Sequence, residues 1–151
     1  QLSPIIIKSQ DVIKLIQSDE IAIGFTGLDL YFESIGTCSP IKTQKVIPWK
    51  NTNLDPVHLV IAAKEKINEI RQYATIRVAT EYYHLTRDFF IKEYPSLVKK
   101  CKFFKASGTA ESLCPYFADM VVVCVSTGST LKQNGLTIID TICQSSTWMF
   151  V

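Results

Sequence analysis

The sequence predicts an α/β protein of two lobes, on three observations. From His58 onward, short Val- and Ile-rich runs alternate with helical patterns, the signature of strand–helix–strand architecture. Runs such as His58 to Ala63 and Val121 to Val125 are apolar without alternation, as in parallel strands covered by helices on both faces. A loop-rich stretch from Gly36 to Pro56 separates an earlier strand–helix set from this regular part. A seam near His58 to Ala63, with the last strand crossing back, assigns residues 1–60 and 141–151 to an incomplete first lobe. Residues 61–140 form the second.

Element by element, Pro4 to Lys8 is β-branched and reads as a strand. Ser9 is placed to cap a helix whose first turn holds Asp11 and whose apolar face is Val12, Ile13, Leu15 and Ile16. Glu20 to Phe25 is strand-like and is broken by Thr26-Gly27-Leu28-Asp29; Leu28 to Phe32 opens a short helix. An edge strand is expected near Lys45 to Ile47. Then follow strand His58–Ala63, helix Lys64–Gln72, strand Ile76–Thr80, and helix Leu85–Glu93 with Phe89 and Phe90 inward. Strand Cys101–Ala106, a helical turn Glu111–Phe117 and strand Asp119–Val125 come next. A turn at Leu131–Asn134 stopped by Gly135 leads to strands Thr137–Thr141 and Ser146–Val151.

Composition narrows the function classes. Of 151 residues, 47 % are hydrophobic and 20 % charged, so a packed core is expected rather than disorder. A formal net charge of +2 is too mild to point to nucleic acid. The apolar runs fall far short of the about 20 residues that span a bilayer, and no leader pattern is present, so neither a membrane nor secretion is expected. Five scattered cysteines without a CxxC read as reduced thiols in a cytoplasmic protein. The opening Gln1 and the apolar ending Trp148 to Val151 suggest a fragment.

Four loops at strand ends are candidate sites. Val121 to Val125 runs into Ser126-Thr127-Gly128-Ser129-Thr130-Leu131. There, unpaired amides at a helix start, hydroxyls and a glycine suit a phosphate, although a capped turn without ligand uses the same residues. The spacing is not that of an NTPase P-loop. Thr26, Gly27 and Asp29 end the Glu20–Phe25 strand. Thr80, Tyr82, Tyr83 and His84 end the Ile76–Thr80 strand, where aromatics either stack on a base or simply pack. Ser107-Gly108-Thr109-Ala110-Glu111 ends in an acid suited to a metal, to a hydroxyl or to a helix first turn.

Taken in order, these loops resemble the catalytic region of ATP phosphoribosyltransferase, which opens histidine biosynthesis. Gly24-Phe25-Thr26-Gly27-Leu28-Asp29 is similar to the family's GITGxD, and Arg77-Val78-Ala79-Thr80-Glu81-Tyr82 with Leu85-Thr86 to RIATxYPxLT. Ser107 to Glu111 is similar to SGSVE. Ala118-Asp119, Ser126 to Leu131 and Asn134-Gly135-Leu136 follow the family's closing block. The resemblance implies a periplasmic-binding-protein-like fold, two lobes with the active site in the cleft between them. It implies condensation of ATP with phosphoribosyl pyrophosphate, Mg²⁺ riding on the pyrophosphate, in the cytoplasm. Assembly is expected as a homo-oligomer or as a hetero-oligomer with a regulatory subunit. Ser126, Thr127, Gly128, Ser129, Thr130 and Leu131 fall on the phosphoribosyl pyrophosphate loop. Thr26, Gly27, Asp29, Thr80 and Tyr82 fall on the nucleotide side, and Glu111 is the catalytic candidate. The chain departs from the pattern at Val123, where the family carries an acid for the ribose hydroxyls, and at Ala22, Cys124 and Asp55-Pro56. The likeness begins after the family's first strand and basic loop and stops before its C-terminal helix. The alternative is a non-catalytic ligand-binding module or an inactive paralogue of the same fold.

Overall fold

The computed structural model describes residues 3–36, 46–48 and 56–151. Helix α1 (Ser9–Gln17) buries Val12, Ile13 and Ile16 on one face and carries Asp11 in its first turn. Ser9 is its first helical residue rather than its cap; Lys8 holds the cap position. Pro4 to Lys8, expected as a strand, forms no regular element, and Ile5 and Ile6 are exposed. A β-branched run becomes a strand only where another strand takes up its amides. Strand β1 (Gly24–Gly27) is shorter than expected and includes Thr26-Gly27 instead of ending before them. Gly24 is required there, because a Cβ would run into the Val12 side chain of α1. Helix α2 (Leu28–Ile35) ends at left-handed Gly36. Most of the loop-rich Gly36–Pro56 stretch, with Asp55, lies outside the described residues; β2 (Val46–Pro48) within it is a strand.

The rest comprises β3 (Val57–Ala63), a one-turn α3 (Ile67–Ile70), β4 (Ile76–Thr80), α4 (Tyr83–Glu93), β5 (Cys101–Lys105), β6 (Met120–Val125), α5 (Ser129–Gln133), β7 (Thr137–Ser145) and β8 (Thr147–Phe150). Two 3₁₀ turns, Val98–Lys100 and Ala110–Leu113, punctuate it; the second replaces the longer turn expected to Phe117. Five strands make one sheet in the order β5-β4-β6-β3-β7, and three make another, β1-β8-β2. The small sheet is antiparallel, with Gly24 opposite Phe150 and Val46 opposite Phe150 on the other side.

The larger sheet is mixed, which corrects the expectation of a parallel one. β4 is parallel to β5 and β6, while β3 runs antiparallel to β6 and β7. The unbroken apolar run in β3 reflects burial on both faces, not strand direction. Leu59, Ile61 and Ala63 face one core, and Val60 and Ala62 the other. The first core is large and aromatic, burying Tyr31 of α2, Phe90 of α4 and Phe150 of the last strand, with the apolar face of α1 against it. The second is made largely of small side chains (Ala79, Ala106, Ala110, Ala118) closed by Leu131 and Leu136. Short turns seat on it where long helices seat on the first. All of β3 and β7, through Ser145, lies in the larger sheet, so the sheet boundaries fall a few residues outside the expected 60/61 and 140/141 seams. The chain returns to the small sheet through Ser146, whose carbonyl accepts the Leu28 amide at 3.0 Å.

Candidate functional site

Strand β6 projects one residue type after another past the end of its parallel neighbour. β4 pairs with it only as far as Thr80 opposite Val122, while β3 stays paired up to Val125. The chain then turns through Ser126, Thr127 and Gly128 into α5. Gly128 has φ +72°, a conformation L side chains avoid, and open space where a Cβ would be. The first amide bonded within α5 is that of Lys132, to the Gly128 carbonyl at 3.2 Å. Of the preceding amides, that of Ser129 donates to Thr127 Oγ1 at 3.4 Å, and those of Thr130 and Leu131 have no acceptor within the helix. Thr127 and Ser129 hydroxyls lie 3.1 Å apart. Asn134 closes the turn by donating from Nδ2 to the Thr130 carbonyl at 2.9 Å, and Gly135 at φ +68° stops it. Leu131 and Leu136 anchor the turn in the small-residue core. The result is a cavity of about 180 Å³ lined by Val123 to Leu131 and, from the facing 3₁₀ turn, Glu111.

A second cluster lies where the two sheets meet. The Asp29 amide donates to Ser145 Oγ at 2.9 Å, and that hydroxyl donates back to Asp29 Oδ1. The Tyr82 phenol hydrogen-bonds the same carboxylate; burial first, then the Asp29 charge and hydrogen bond, push its pKa far above the ordinary phenol value. The Cys124 thiol is crowded against this pair although the residue as a whole is exposed. Desolvation first, then the Asp29 charge, raise it to about 11, against the opposing pull of a hydrogen bond from Tyr82. Cys124 also lines the cavity, whereas Asp29, Tyr82 and Ser145 do not. The Glu33 carboxylate of α2 accepts the His84 and Leu85 amides at 3.0 Å each, filling the anion-favouring start of α4 from the other layer.

The residues expected from sequence separate into two groups. Ser126 to Leu131 and Glu111 share the cavity. Asp29 and Tyr82 meet at the junction, with Gly27 against Asp29: a Cβ on Gly27 would collide with that carboxylate. Thr26 and Thr80 have their hydroxyls engaged inside the protein. Thr26 donates to the Ser9 carbonyl at 3.0 Å; Thr80 accepts the Tyr82 amide and bonds Thr86, each at 2.9 Å. Neither His58 nor His84 lines the cavity. Ser145, Glu33 and Cys124 were not singled out as interface groups. Their partners lie 116, 51 and 52 residues away for the first two, a separation no local pattern reveals. No group of three or more His, Cys, Asp or Glu side chains able to hold a metal occurs among the described residues.

Comparison with known proteins bears on both fold and site. Residues 8–151 match the family model described as HisG: ATP phosphoribosyltransferase. An ATP phosphoribosyltransferase from Sulfurisphaera tokodaii is 30 % identical over 143 residues, covering 94 % of this chain and 47 % of the relative. The chain thus spans about half the length of that curated relative. The structure of the ATP phosphoribosyl transferase (HisG:HisZ) complex from Thermotoga maritima superimposes with a TM-score of 0.75 at 23 % identity, over 96 % of this chain and 66 % of that one. A ligand-binding component of an ABC-type import system from Staphylococcus aureus gives a TM-score of 0.59 at 12 % identity, over 92 % and 51 %. The last two are likenesses of fold, and they identify it as the two-lobed, periplasmic-binding-protein-like α/β architecture. No helix among the described residues is long and apolar enough to cross a membrane.

Proposed function

Because the chain belongs to the ATP phosphoribosyltransferase (HisG) family, we propose that it serves the condensation of ATP with phosphoribosyl pyrophosphate to phosphoribosyl-ATP and pyrophosphate, the first step of histidine biosynthesis. The observation that carries this reading is the Ser126–Leu131 turn: orphan amides, hydroxyls and a left-handed glycine line one cavity at the carboxyl end of a buried strand. The 5-phosphate of the ribosyl donor sits on those amides and hydroxyls. The nucleotide lies on the side of Cys124, toward the cluster of Gly27, Asp29 and Tyr82, with Thr26 and Thr80 holding the backbone there.

In this reaction, N1 of the adenine forms a bond to C1 of the ribosyl group as the C1–O bond to pyrophosphate breaks. The electron pair leaves with pyrophosphate, which carries its own Mg²⁺ as part of the substrate. The described side chains supply no metal cluster of their own, so no step is assigned to a protein-held ion. The chain contributes position and fixed dipoles, holding the sugar phosphate still while the second anion approaches. Assembly as a homo-oligomer or with a regulatory subunit is part of the same proposal. Ile5, Ile6, Ile23 and Phe25, exposed around one groove, support it.

A second reading, a non-catalytic ligand-binding module or inactive paralogue, is favoured by apolar Val123 in the cavity wall. Thermal unfolding with phosphoribosyl pyrophosphate, ATP and AMP, set against amino acids and sugars, separates the two from a phosphate-free function. At a hundred times Kd a ligand stabilises by about 2.7 kcal/mol. A shift with phosphoribosyl pyrophosphate and formation of phosphoribosyl-ATP are expected. A shift without product, or a shift with amino acids or sugars alone, selects the second reading, and no shift with any of these ligands overturns both.

A further inference from the structure

We infer that two copies of this chain assemble by exchanging the run of residues 4–7, each run entering the groove that separates the other copy's run from its β1. The inference rests on the homo-oligomeric part of the proposed function, for which it names the contact, and not on the phosphoribosyl site. Each of two features in one molecule lacks what the other offers. Pro4 to Lys8 is a β-branched run that joins no ladder among the described residues. Ile7 packs against the aromatic core and pins the run to the body, while Ile5 is 64 % exposed and Ile6 fully so. β1 is an outer strand of the small sheet. A groove of about 580 Å³ is lined by Ile5, Ile6 and Ile7 of the run and by Ile21, Ile23 and Phe25 at β1, so the run stands off from β1 instead of pairing with it. Residues 3–7 and 21–26 carry no charged side chain, and a strand entering the groove buries no unpaired charge.

The outer strands of the larger sheet show why this edge is singled out. β5 has exposed Lys102 and Lys105, with exposed Lys99 and Lys100 just before it, and β7 shifts register twice against β3. Charged side chains and bulges keep an edge from pairing with another chain. β1 has no charged side chain and pairs with β8 in unbroken register. A twofold axis between the two runs makes the exchange reciprocal and closed. The order across it is β1, the other copy's run, the run, and the other copy's β1. Both grooves are filled, and each run gains a strand on either side to take up its amides. Covering the exposed parts of Ile5, Ile6, Ile23 and Phe25 in both copies removes about 1,000 Å² of apolar surface, the size at which stable interfaces begin.

The test is light scattering and sedimentation of the whole chain over a range of micromolar concentrations, without ligand, together with hydrogen exchange. A mass of twice 17.0 kDa is expected, with slow exchange of the Ile5, Ile6 and Ile7 amides. Ile6→Lys should weaken the dimer by roughly 100-fold or more, because symmetry enters the change twice, and Ile6→Leu should keep it. Since Ile6 is fully exposed in the single chain, the Ile6→Lys monomer should unfold where the dissociated wild type does. Ile138→Lys, at an exposed position of the outer strand β7, should leave the dimer intact. A monomer at every concentration overturns the inference and leaves the groove to a strand of a different protein or of a longer chain; with no ligand present, that result leaves the phosphoribosyl reading standing. A dimer that survives Ile6→Lys, that is lost instead with Ile138→Lys, or whose Ile5, Ile6 and Ile7 amides exchange freely overturns it as well.

Discussion

The Gly24–Asp29 and Ser126–Leu131 segments look alike on paper: each ends a strand in glycine, a hydroxyl residue and a helix start. In the fold they are opposites. The first is tied down at every polar position, Thr26 to Ser9 and Asp29 to Ser145 and Tyr82, and its two glycines exist because neighbours occupy the Cβ space. The second has open space at Gly128, the Thr130 and Leu131 amides have no acceptor within the helix, and its residues line a cavity. Small residues at a strand end therefore serve two ends, close packing or ligand approach. What distinguishes them is whether another element is already there. In this protein α1 and β7 come down on the first turn, whereas the second overhangs the end of β4.

Removing the acid of the tied turn should have the largest effect. Asp29→Ala strips the buried Ser145 and Tyr82 hydroxyls of their shared acceptor, and unsatisfied buried groups cost about 1–3 kcal/mol each. We expect a loss of about 3 kcal/mol in urea unfolding, with the melting temperature down by roughly 6–12 °C. A variant as stable as wild type would mean that the junction does not depend on this carboxylate.

The far end of the same two parallel strands offers a control of similar kind and smaller size. Arg77 on β4 forms an ion pair with Asp119, just before β6, at 2.6 Å, and the Arg77 amide donates to the same carboxylate at 2.7 Å. Burial alone would raise the Asp119 pKa, but these contacts hold it below the ordinary carboxylate value. The pair's stabilisation is therefore in full force above the unfolded-state value near 4 and is lost as the pH falls through the depressed folded value. Unfolding free energy from urea titration should fall more steeply below pH 4 in wild type than in Asp119→Asn, in which that limb is flattened. Parallel acid limbs in the two proteins would remove Asp119 as the cause.

The smallest effect on stability sharpens the contrast most. Gly128→Ala puts a Cβ in a left-handed position with room around it, a strain of about 1 kcal/mol, yet it disturbs the cup directly. Gly27→Ala meets the Asp29 carboxylate and should cost about 1–3 kcal/mol by overpacking. Calorimetry with ribose 5-phosphate and thermal unfolding should thus split: weaker binding with nearly native stability for Gly128→Ala, and the reverse for Gly27→Ala. Equal loss of binding in both would erase the distinction between the turns.

Much of this was legible along the chain. β4 falls on the expected residues, and α1, α4, β3, β6 and β8 lie within a few residues of expectation, because Val/Ile runs and 3.6-residue periodicity act locally. The run Val121 to Gly135 showed its strand, loop, turn and terminator in order, since Gly128 and Gly135 carry the conformations only their own φ angles demand. The expected Pro4–Lys8 strand forms no ladder among the described residues, and the Lys64–Gln72 helix shrank to one turn. β3 ran antiparallel because burial on both faces says nothing about direction. That the Thr26 hydroxyl donates to the Ser9 carbonyl, 17 residues back, was not legible in the sequence, whereas the Thr80 hydroxyl is engaged locally by the Tyr82 amide and Thr86.

By itself the amino-acid order determined the alternation of strands and helices, the family motifs and the hydroxyl-rich turn, all of which depend on neighbours a few positions apart. Only the tertiary structure decided which turn stays open, which acids are engaged and that Glu111 and the Ser126–Leu131 turn line one cavity. Those outcomes depend on which distant segment comes to occupy a given space. Two loops of similar composition carry no local record of that.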